Sequence, residues 1–139
     1  MNELFIDTDV IIDFLIDRKP FSREAAIIFS LIEQKKLKGY ASSLTFSNLY
    51  YVIRKFESHA KVISILDNLS KLLVVLKVDE QIIRNAISSE FLDFEDSIQY
   101  YCAADYKKIE VVITRNTKDY KNSELPVMTP GDFLKTTGK

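Results

Sequence analysis

The stretch Leu4-Phe5-Ile6-Asp7-Thr8-Asp9 is a short apolar run that ends in two acidic residues. Three consecutive apolar side chains are typical of a strand that is buried on both faces of a sheet. Residues 10–15, which follow, carry apolar side chains at helical spacing. Asp7 therefore lies where a buried strand gives way to a helix. A charge at the end of a buried strand favours a functional role for Asp7 over helix capping alone.

Acidic and amide side chains occur at two further places of the same kind. Asp93-Phe94-Glu95-Asp96 precedes an amphipathic run, and Asn116 and Asp119 follow the apolar residues Val111-Val112-Ile113. Carboxylates that a fold gathers at one place repel each other, so the arrangement requires a cation between them. Because all the candidate ligands are oxygens, we predict a site for Mg²⁺ or Mn²⁺.

Composition restricts the class of protein. The chain has 139 residues, of which 47% are hydrophobic, and only 3 glycines and 3 prolines, so we expect a folded domain rather than a disordered chain. The 19 basic and 20 acidic residues nearly cancel, which argues against charge-driven binding of duplex DNA. One histidine and one cysteine are too few for a zinc cluster, and the isolated glycines form no phosphate-binding loop. No apolar stretch reaches membrane-spanning length, and we expect a cytoplasmic protein without membrane contact.

Short apolar runs alternate with segments of helical periodicity along the chain. This alternation predicts an α/β fold in a single domain over residues 1–139. We expect three layers, α/β/α, with a central parallel sheet of four to five strands. In such sheets ligands bind beyond the carboxyl ends of the strands, where the strand order reverses. If the first and fourth strands are neighbours, Asp7, Asn116 and Asp119 lie over one crevice.

Local patterns predict several details of the helices. Ser22 and Thr45 are expected to cap the second and third helices, and the second helix is expected to end near Gly39. Asp13 and Asp17 follow the first strand in the helical segment, where a solvated face is expected.

Four motifs resemble those of PIN domains, in the same order and over nearly the whole chain. The first two are Phe5-Ile6-Asp7-Thr8-Asp9-Val10-Ile11-Ile12-Asp13 and Leu44-Thr45-Phe46-Ser47-Asn48-Leu49-Tyr50-Tyr51. The other two are Asp93-Phe94-Glu95-Asp96-Ser97-Ile98-Gln99 and Ile113-Thr114-Arg115-Asn116-Thr117-Lys118-Asp119-Tyr120. The resemblance implies a PIN-like fold and a metal-dependent ribonuclease, often the toxin of a bacterial toxin–antitoxin pair.

The resemblance also implies roles for individual residues. Asp7, Asp96 and Asp119 would be the catalytic carboxylates and the ligands of one or two Mg²⁺ or Mn²⁺ ions. Thr114 and Asn116 would be supporting polar groups. The bound metal would activate a water molecule for in-line attack on an RNA phosphodiester.

The second motif departs from the PIN pattern at Asn48, where a glutamate is usual. An amide oxygen can bind a hard cation but brings no charge, so the affinity for the cation is expected to fall. Asp9 or Asp93 is expected to supply the missing charge, although Asp93 is also placed to cap the helix that follows it. Arg54 and Arg115 are candidate contacts to RNA phosphates.

Substrate and partners follow from the resemblance. Single-stranded RNA is the implied substrate, a small antitoxin protein is the implied partner, and a homodimer is expected. Two alternatives remain open. Asp7-Thr8-Asp9 also resembles the nucleophile motif of haloacid dehalogenase-like phosphatases, in which Asp7 would attack phosphate. Alternatively, the amide at Asn48 would leave a catalytically weakened PIN-like scaffold or RNA-binding protein.

Overall fold

The computed structural model describes residues 1–137, and a parallel β-sheet forms its centre. Within these residues the strands are β1 (Glu3–Ile6), β2 (Lys38–Ser42), β3 (Val74–Leu76), β4 (Val111–Ile113) and β5 (Val127–Met128). They lie in the order β3-β2-β1-β4-β5 and all pairings are parallel. The predicted parallel sheet of four to five strands is confirmed. Residues 138 and 139 of the predicted domain lie outside the described part.

Helices cover both faces of this sheet, as predicted for three layers. They are α1 (Thr8–Leu15), α2 (Ser22–Glu33), α3 (Ser43–Ile53), α4 (His59–Leu72), α5 (Glu80–Ile87), α6 (Phe94–Asp105) and α7 (Pro130–Thr136). Helices α1 to α4 and α7 contribute to one hydrophobic core, and α5 and α6 contribute to a second. None of the helices formed by residues 1–137 is long and apolar enough to cross a membrane.

Strand β1 lies between the two cores, and this location explains why its sequence is apolar. Leu4 and Ile6 pack into the first core, whereas Phe5 points to the opposite face and packs into the second. All three side chains are fully buried. Full burial of each such side chain contributes about 1.5–3 kcal/mol, so β1 anchors both layers of helices to the sheet.

The strand order reverses at β1, which pairs with β2 on one side and with β4 on the other. Leu4 is opposite Gly39 in β2 and opposite Val111 in β4. The Asp7 N–H continues the second ladder by donating to the Ile113 carbonyl at 2.9 Å. The first and fourth strands are therefore neighbours, which is the condition under which Asp7, Asn116 and Asp119 were expected over one crevice.

Three local predictions are wrong, each for a physical reason. Ser42, not Thr45, caps α3, because the chain enters this helix directly from β2 and the Ser42 hydroxyl accepts the Thr45 N–H. Ser22 is the first residue of α2 and not its cap, since its N–H already donates to a carbonyl of the preceding turn. Lys35, with φ of 62°, provides the left-handed turn after α2, and Gly39 lies within β2.

Gly39 lies where β2 has no room for a side chain. A Cβ at this position would lie 2.6 Å from Ile32 Cδ1 and 2.7 Å from Leu73 Cδ2, both of which are buried. We expect Gly39→Ala to lower the free energy of unfolding by about 1–3 kcal/mol, because overpacking displaces core side chains. Urea unfolding followed by circular dichroism measures the change. Gly131→Ala is the control, because the three atoms nearest to a Cβ there belong to the exposed Glu24 side chain, whose flexible end can move away. Equal stability of the two variants would contradict this account of β2.

Candidate active site

A cleft at the carboxyl ends of β1 and β4 gathers the acidic side chains predicted for the site. Its volume is about 210 Å³, and its walls come from the β1–α1 junction, the start of α6 and the segment after β4. Four larger depressions lie elsewhere. The two largest of these, of about 660 and 690 Å³, have lysine and aliphatic side chains prominent in their linings. The residues that line the acidic cleft are Asp7, Thr8, Asp9, Ile12, Asp93, Glu95, Asp96, Asn116 and Asp119.

Asp7 follows β1 directly and caps α1, with only 4% of its surface exposed. Its Oδ1 accepts the Thr8 N–H at 2.7 Å, and its Oδ2 accepts the Thr114 hydroxyl at 2.8 Å. Burial, and then the charge of Asp9, raise the pKa of Asp7 to about 7 in spite of these hydrogen bonds. Asp7 is thus held in one orientation, and its negative charge is unfavourable when no cation is near.

Asp96 lies in the first turn of α6 and is also buried. Asp93 caps this helix, as predicted, because its Oδ1 accepts the Asp96 N–H at 2.9 Å. Burial raises the pKa of Asp96 to about 8, with further contributions from the charges of Asp7 and Asp93 and from Asp119. Carboxylates from three separate segments of the chain therefore share one small volume.

Asp9 and Asn116 form the side of the cleft between α1 and the segment after β4. The Asn116 amide nitrogen donates to Asp9 Oδ2 at 3.1 Å. The other oxygen, Asp9 Oδ1, is buried without a hydrogen-bond partner among residues 1–137. Burial raises the pKa of Asp9, although the neighbouring Arg115 opposes this shift. An unpaired buried carboxylate oxygen is costly unless a cation or an ordered water satisfies it.

Four residues of this region were not predicted as site residues: Thr8, Ile12 and Glu95, which line the cleft, and Tyr120. Glu95 lines the cleft, and its position directly before Asp96 in the third motif was the available signal. The Tyr120 hydroxyl is buried without a hydrogen-bond partner in the described part of the chain. Burial, followed by the charges of Asp7 and Asp96, raises the pKa of Tyr120, so the phenol stays protonated beside the carboxylates. Its signal in the sequence was only its place after Asp119.

Asn48 lies on α3 and contacts the cleft through another side chain. It does not belong to the residues that line the cleft. Its amide nitrogen instead donates to Glu95 Oε2 at 2.7 Å, across to the first turn of α6. The Glu95 carboxylate therefore directly contacts Asn48, the residue at which the second motif departs from the PIN pattern.

The predicted solvated position of Asp13 is wrong. Asp13 is 1% exposed and forms a two-point ion pair with Arg115, whose Nε donates to Asp13 Oδ2 at 2.6 Å. The Arg115 guanidinium also lies over the Phe21 ring, 4.1 Å from its centroid. The Arg115 guanidinium thus already contacts Asp13 and Phe21. Its role as an RNA contact stays a prediction. Arg54 donates to the backbone carbonyl of Glu57 and does not line the cleft.

The donor set fits a hard divalent cation. The charged groups that line the cleft are carboxylates, which Mg²⁺ and Mn²⁺ prefer. The unpaired Asp9 Oδ1 and the raised pKa values of Asp7 and Asp96 both indicate negative charge that a cation would stabilise. Within residues 1–137, however, no three carboxylate, imidazole or thiolate groups already converge closely enough to hold an ion. Mg²⁺ commonly keeps several water ligands and needs only one or two carboxylates. The assignment of Asp7, Asp96 and Asp119 as its ligands stays a prediction.

Comparisons with known proteins agree with the fold. A family model described as PIN domain matches residues 3–118. The chain is 24% identical over 136 residues to Ribonuclease VapC1 of Aquifex aeolicus, covering 94% of this chain and 92% of that protein. It is similar in structure to DNA-bound VapBC of Salmonella typhimurium, with TM-score 0.70, 21% identity and coverage of 94% and 99%. It is also similar to a toxin–antitoxin complex of Klebsiella pneumoniae, with TM-score 0.67, 24% identity and coverage of 91% and 97%.

The raised carboxylate pKa values predict how the stability of the metal-free protein depends on pH. Asp96 binds its proton more tightly in the folded state than in the unfolded state, where its pKa is near 3.8. Stability is therefore lost as the pH rises from about 4 to about 8, because the folded protein must give up a proton it retains well. We expect Asp96→Asn to be more stable than the wild type at pH 8, by on the order of 1–2 kcal/mol, and equally stable near pH 4.

Thermal melting in chelator at several pH values between 4 and 8 measures this difference. Asp67→Asn, which removes an exposed carboxylate from α4, is the control and should not change the pH dependence. A wild-type protein that becomes more stable from pH 5 to pH 8, to the same extent as Asp96→Asn, would contradict the prediction.

Proposed function

The chain belongs to the PIN domain family, and we propose that it is a Mg²⁺- or Mn²⁺-dependent endoribonuclease that hydrolyses phosphodiester bonds of single-stranded RNA. The acidic cleft at the carboxyl ends of β1 and β4 is the observation that carries the proposal. Its oxygen-rich lining is suited to a hard cation and, through the cation, to a phosphate group. The similarity to a protein named as a ribonuclease supports RNA as the substrate.

Asp7, Asp96 and Asp119 are the proposed ligands of the cation, and Asp9 and Asp93 add negative charge at the edge of the site. A bound Mg²⁺ or Mn²⁺ ion supplies the positive charge that activates water and neutralises a phosphodiester. Without a cation, the negative charges of the carboxylates are unfavourable, as the raised pKa values of Asp7 and Asp96 indicate. This cost favours binding of the cation near neutral pH.

A chain of hydrogen bonds orients Asp7 for this role. The Asn116 N–H donates to the Thr114 hydroxyl oxygen at 3.0 Å, and the Thr114 hydroxyl donates to Asp7 Oδ2 at 2.8 Å. Thr114 is fully buried at the end of β4, so the sheet itself fixes the donor. We propose that Thr114 and Asn116 keep the Asp7 carboxylate aimed into the cleft, which is the kind of support that metal ligands commonly receive.

We propose that the protein is the toxin of a toxin–antitoxin pair and acts in the cytoplasm. Several structurally similar proteins are VapBC or other toxin–antitoxin complexes. The proposed partner is accordingly a small antitoxin protein, and a homodimer of this chain is the proposed assembly. Co-expression of the chain with a neighbouring small gene product, followed by purification of a complex of the two, would support an antitoxin as the partner.

Family membership favours the nuclease over the phosphatase, whereas a PIN-like scaffold would belong to the same family. A haloacid dehalogenase-like phosphatase would use Asp7 as a nucleophile and pass through an aspartyl-phosphate. A PIN-like scaffold would bind RNA and leave it intact. The three functions therefore differ in their products.

The purified protein is expected to cleave single-stranded RNA with Mg²⁺ or Mn²⁺ and to lose this activity in excess chelator. Asp7→Asn, Asp96→Asn and Asp119→Asn should each lower the rate by roughly 100-fold, because each removes a charged ligand for the cation. Glu90→Gln, at an exposed position outside the cleft, is the control and should cleave like the wild type. Gel analysis of an end-labelled RNA measures the rates.

Three results would contradict the proposal. Undiminished RNA cleavage in chelator would exclude the role of the cation. Hydrolysis of small phosphomonoesters, with a phosphate or beryllium fluoride adduct on Asp7, would identify the phosphatase instead. Tight RNA binding without cleavage under any divalent cation would identify the scaffold.

A further inference from the structure

The Asn48–Glu95 hydrogen bond joins α3 to the first turn of α6 at the edge of the acidic cleft. The Asn48 amide nitrogen donates to Glu95 Oε2 at 2.7 Å, and the two residues are 47 positions apart in the chain. Glu95 lines the cleft together with Asp96, whereas Asn48 does not line it. A carboxylate from α6 thus contacts the position on α3 that carries an uncharged amide.

We propose that Glu95, oriented by Asn48, supplies the negative charge that α3 does not provide, and that this charge helps to hold the divalent cation. The inference rests on the proposed function, since it concerns the same cleft. Asn48 is a positioning residue in this arrangement, because it acts on the cation only through Glu95.

The hydrogen bond restricts an otherwise mobile side chain. Glu95 is exposed, and an exposed glutamate samples many rotamers. Fixing one of these rotamers costs conformational entropy. The Asn48 side-chain amide selects a rotamer in which Glu95 Oε2 is occupied, which leaves Oε1 available to an ion or to its water. An amide is suited to this contact because it donates a hydrogen bond and carries no charge. A glutamate at position 48 would place a second carboxylate against Glu95 and repel it.

A purely structural contact between α3 and α6 would not need the charge of Glu95. A glutamine at position 95 still accepts the hydrogen bond from Asn48, so such a contact would survive the loss of charge. The proposed role needs the charge itself. It also predicts that the charge can be moved: a glutamate at position 48 facing a glutamine at position 95 returns one carboxylate to this edge of the cleft.

The experiment is a calorimetric Mn²⁺ titration at pH 7 of the wild-type chain and its variants. Glu95→Gln is expected to bind Mn²⁺ about five- to tenfold more weakly, since an exposed carboxylate near the ion is partly screened by water. The double variant Asn48→Glu/Glu95→Gln should return to within about threefold of the wild type. Asn48→Glu alone should melt at a lower temperature in chelator and regain this difference in Mn²⁺. Glu90→Gln, which removes an exposed acid outside the cleft, is the matched control and should bind like the wild type.

Melting curves in chelator verify that Glu95→Gln is folded, as expected for a substitution at an exposed position. Wild-type affinity in Glu95→Gln would overturn the proposal while leaving the proposed function intact, provided that the wild type binds Mn²⁺ and cleaves RNA. Weakened binding in Glu95→Gln that the double variant fails to recover would also overturn it, because the charge would not be what matters. A wild-type protein that neither binds Mn²⁺ nor cleaves RNA would overturn both proposals.

Discussion

Repulsion among buried carboxylates at the junction of β1 and β4 is the constraint on which the functional part of this structure depends. The reversal of strand order at β1 brings Asp7 close to the segment after β4. The first turn of α6 adds Asp96 to the same cleft. Burial raises the pKa of Asp7 to about 7 and that of Asp96 to about 8, and the charge of Asp9 contributes at Asp7 while that of Asp7 contributes at Asp96. The folded chain therefore maintains a concentration of negative charge that is costly by itself.

Burial of apolar side chains in the two hydrophobic cores offsets this cost. Alternate residues of β1 and β4 pack on opposite faces of the sheet, so the strands that carry the acidic cleft are also the most deeply buried. Polar groups also position these residues: the buried Thr114 hydroxyl donates to Asp7, and Asp93 caps the helix that carries Asp96. An apolar frame that carries a charged polar edge is a common arrangement for a site that binds a ligand.

The sequence predicted the features that depend on local pattern and failed where distant residues decide. Apolar runs that end in acids indicated the sheet, its parallel strands and the crevice at their carboxyl ends, and the resemblance to PIN domains indicated the individual carboxylates. The burial of Asp13 was missed because its partner, Arg115, is 102 positions away. Glu95 was missed because its contact with Asn48 exists only when α3 and α6 are adjacent. The cap of α3 was misplaced because both Ser42 and Thr45 are suitable residues, and the end of β2 decides between them.

The most direct test of this account is the number of protons released when Mn²⁺ binds, measured by calorimetry at pH 7 in two buffers that differ in ionisation enthalpy. Because the pKa values of Asp7 and Asp96 are near or above 7, part of the carboxylate population is protonated before the ion binds. Ligand carboxylates must be ionised, so binding is predicted to release about one proton per protein, and fewer in Asp96→Asn. Binding without proton release, or no binding at millimolar Mn²⁺, would contradict the account.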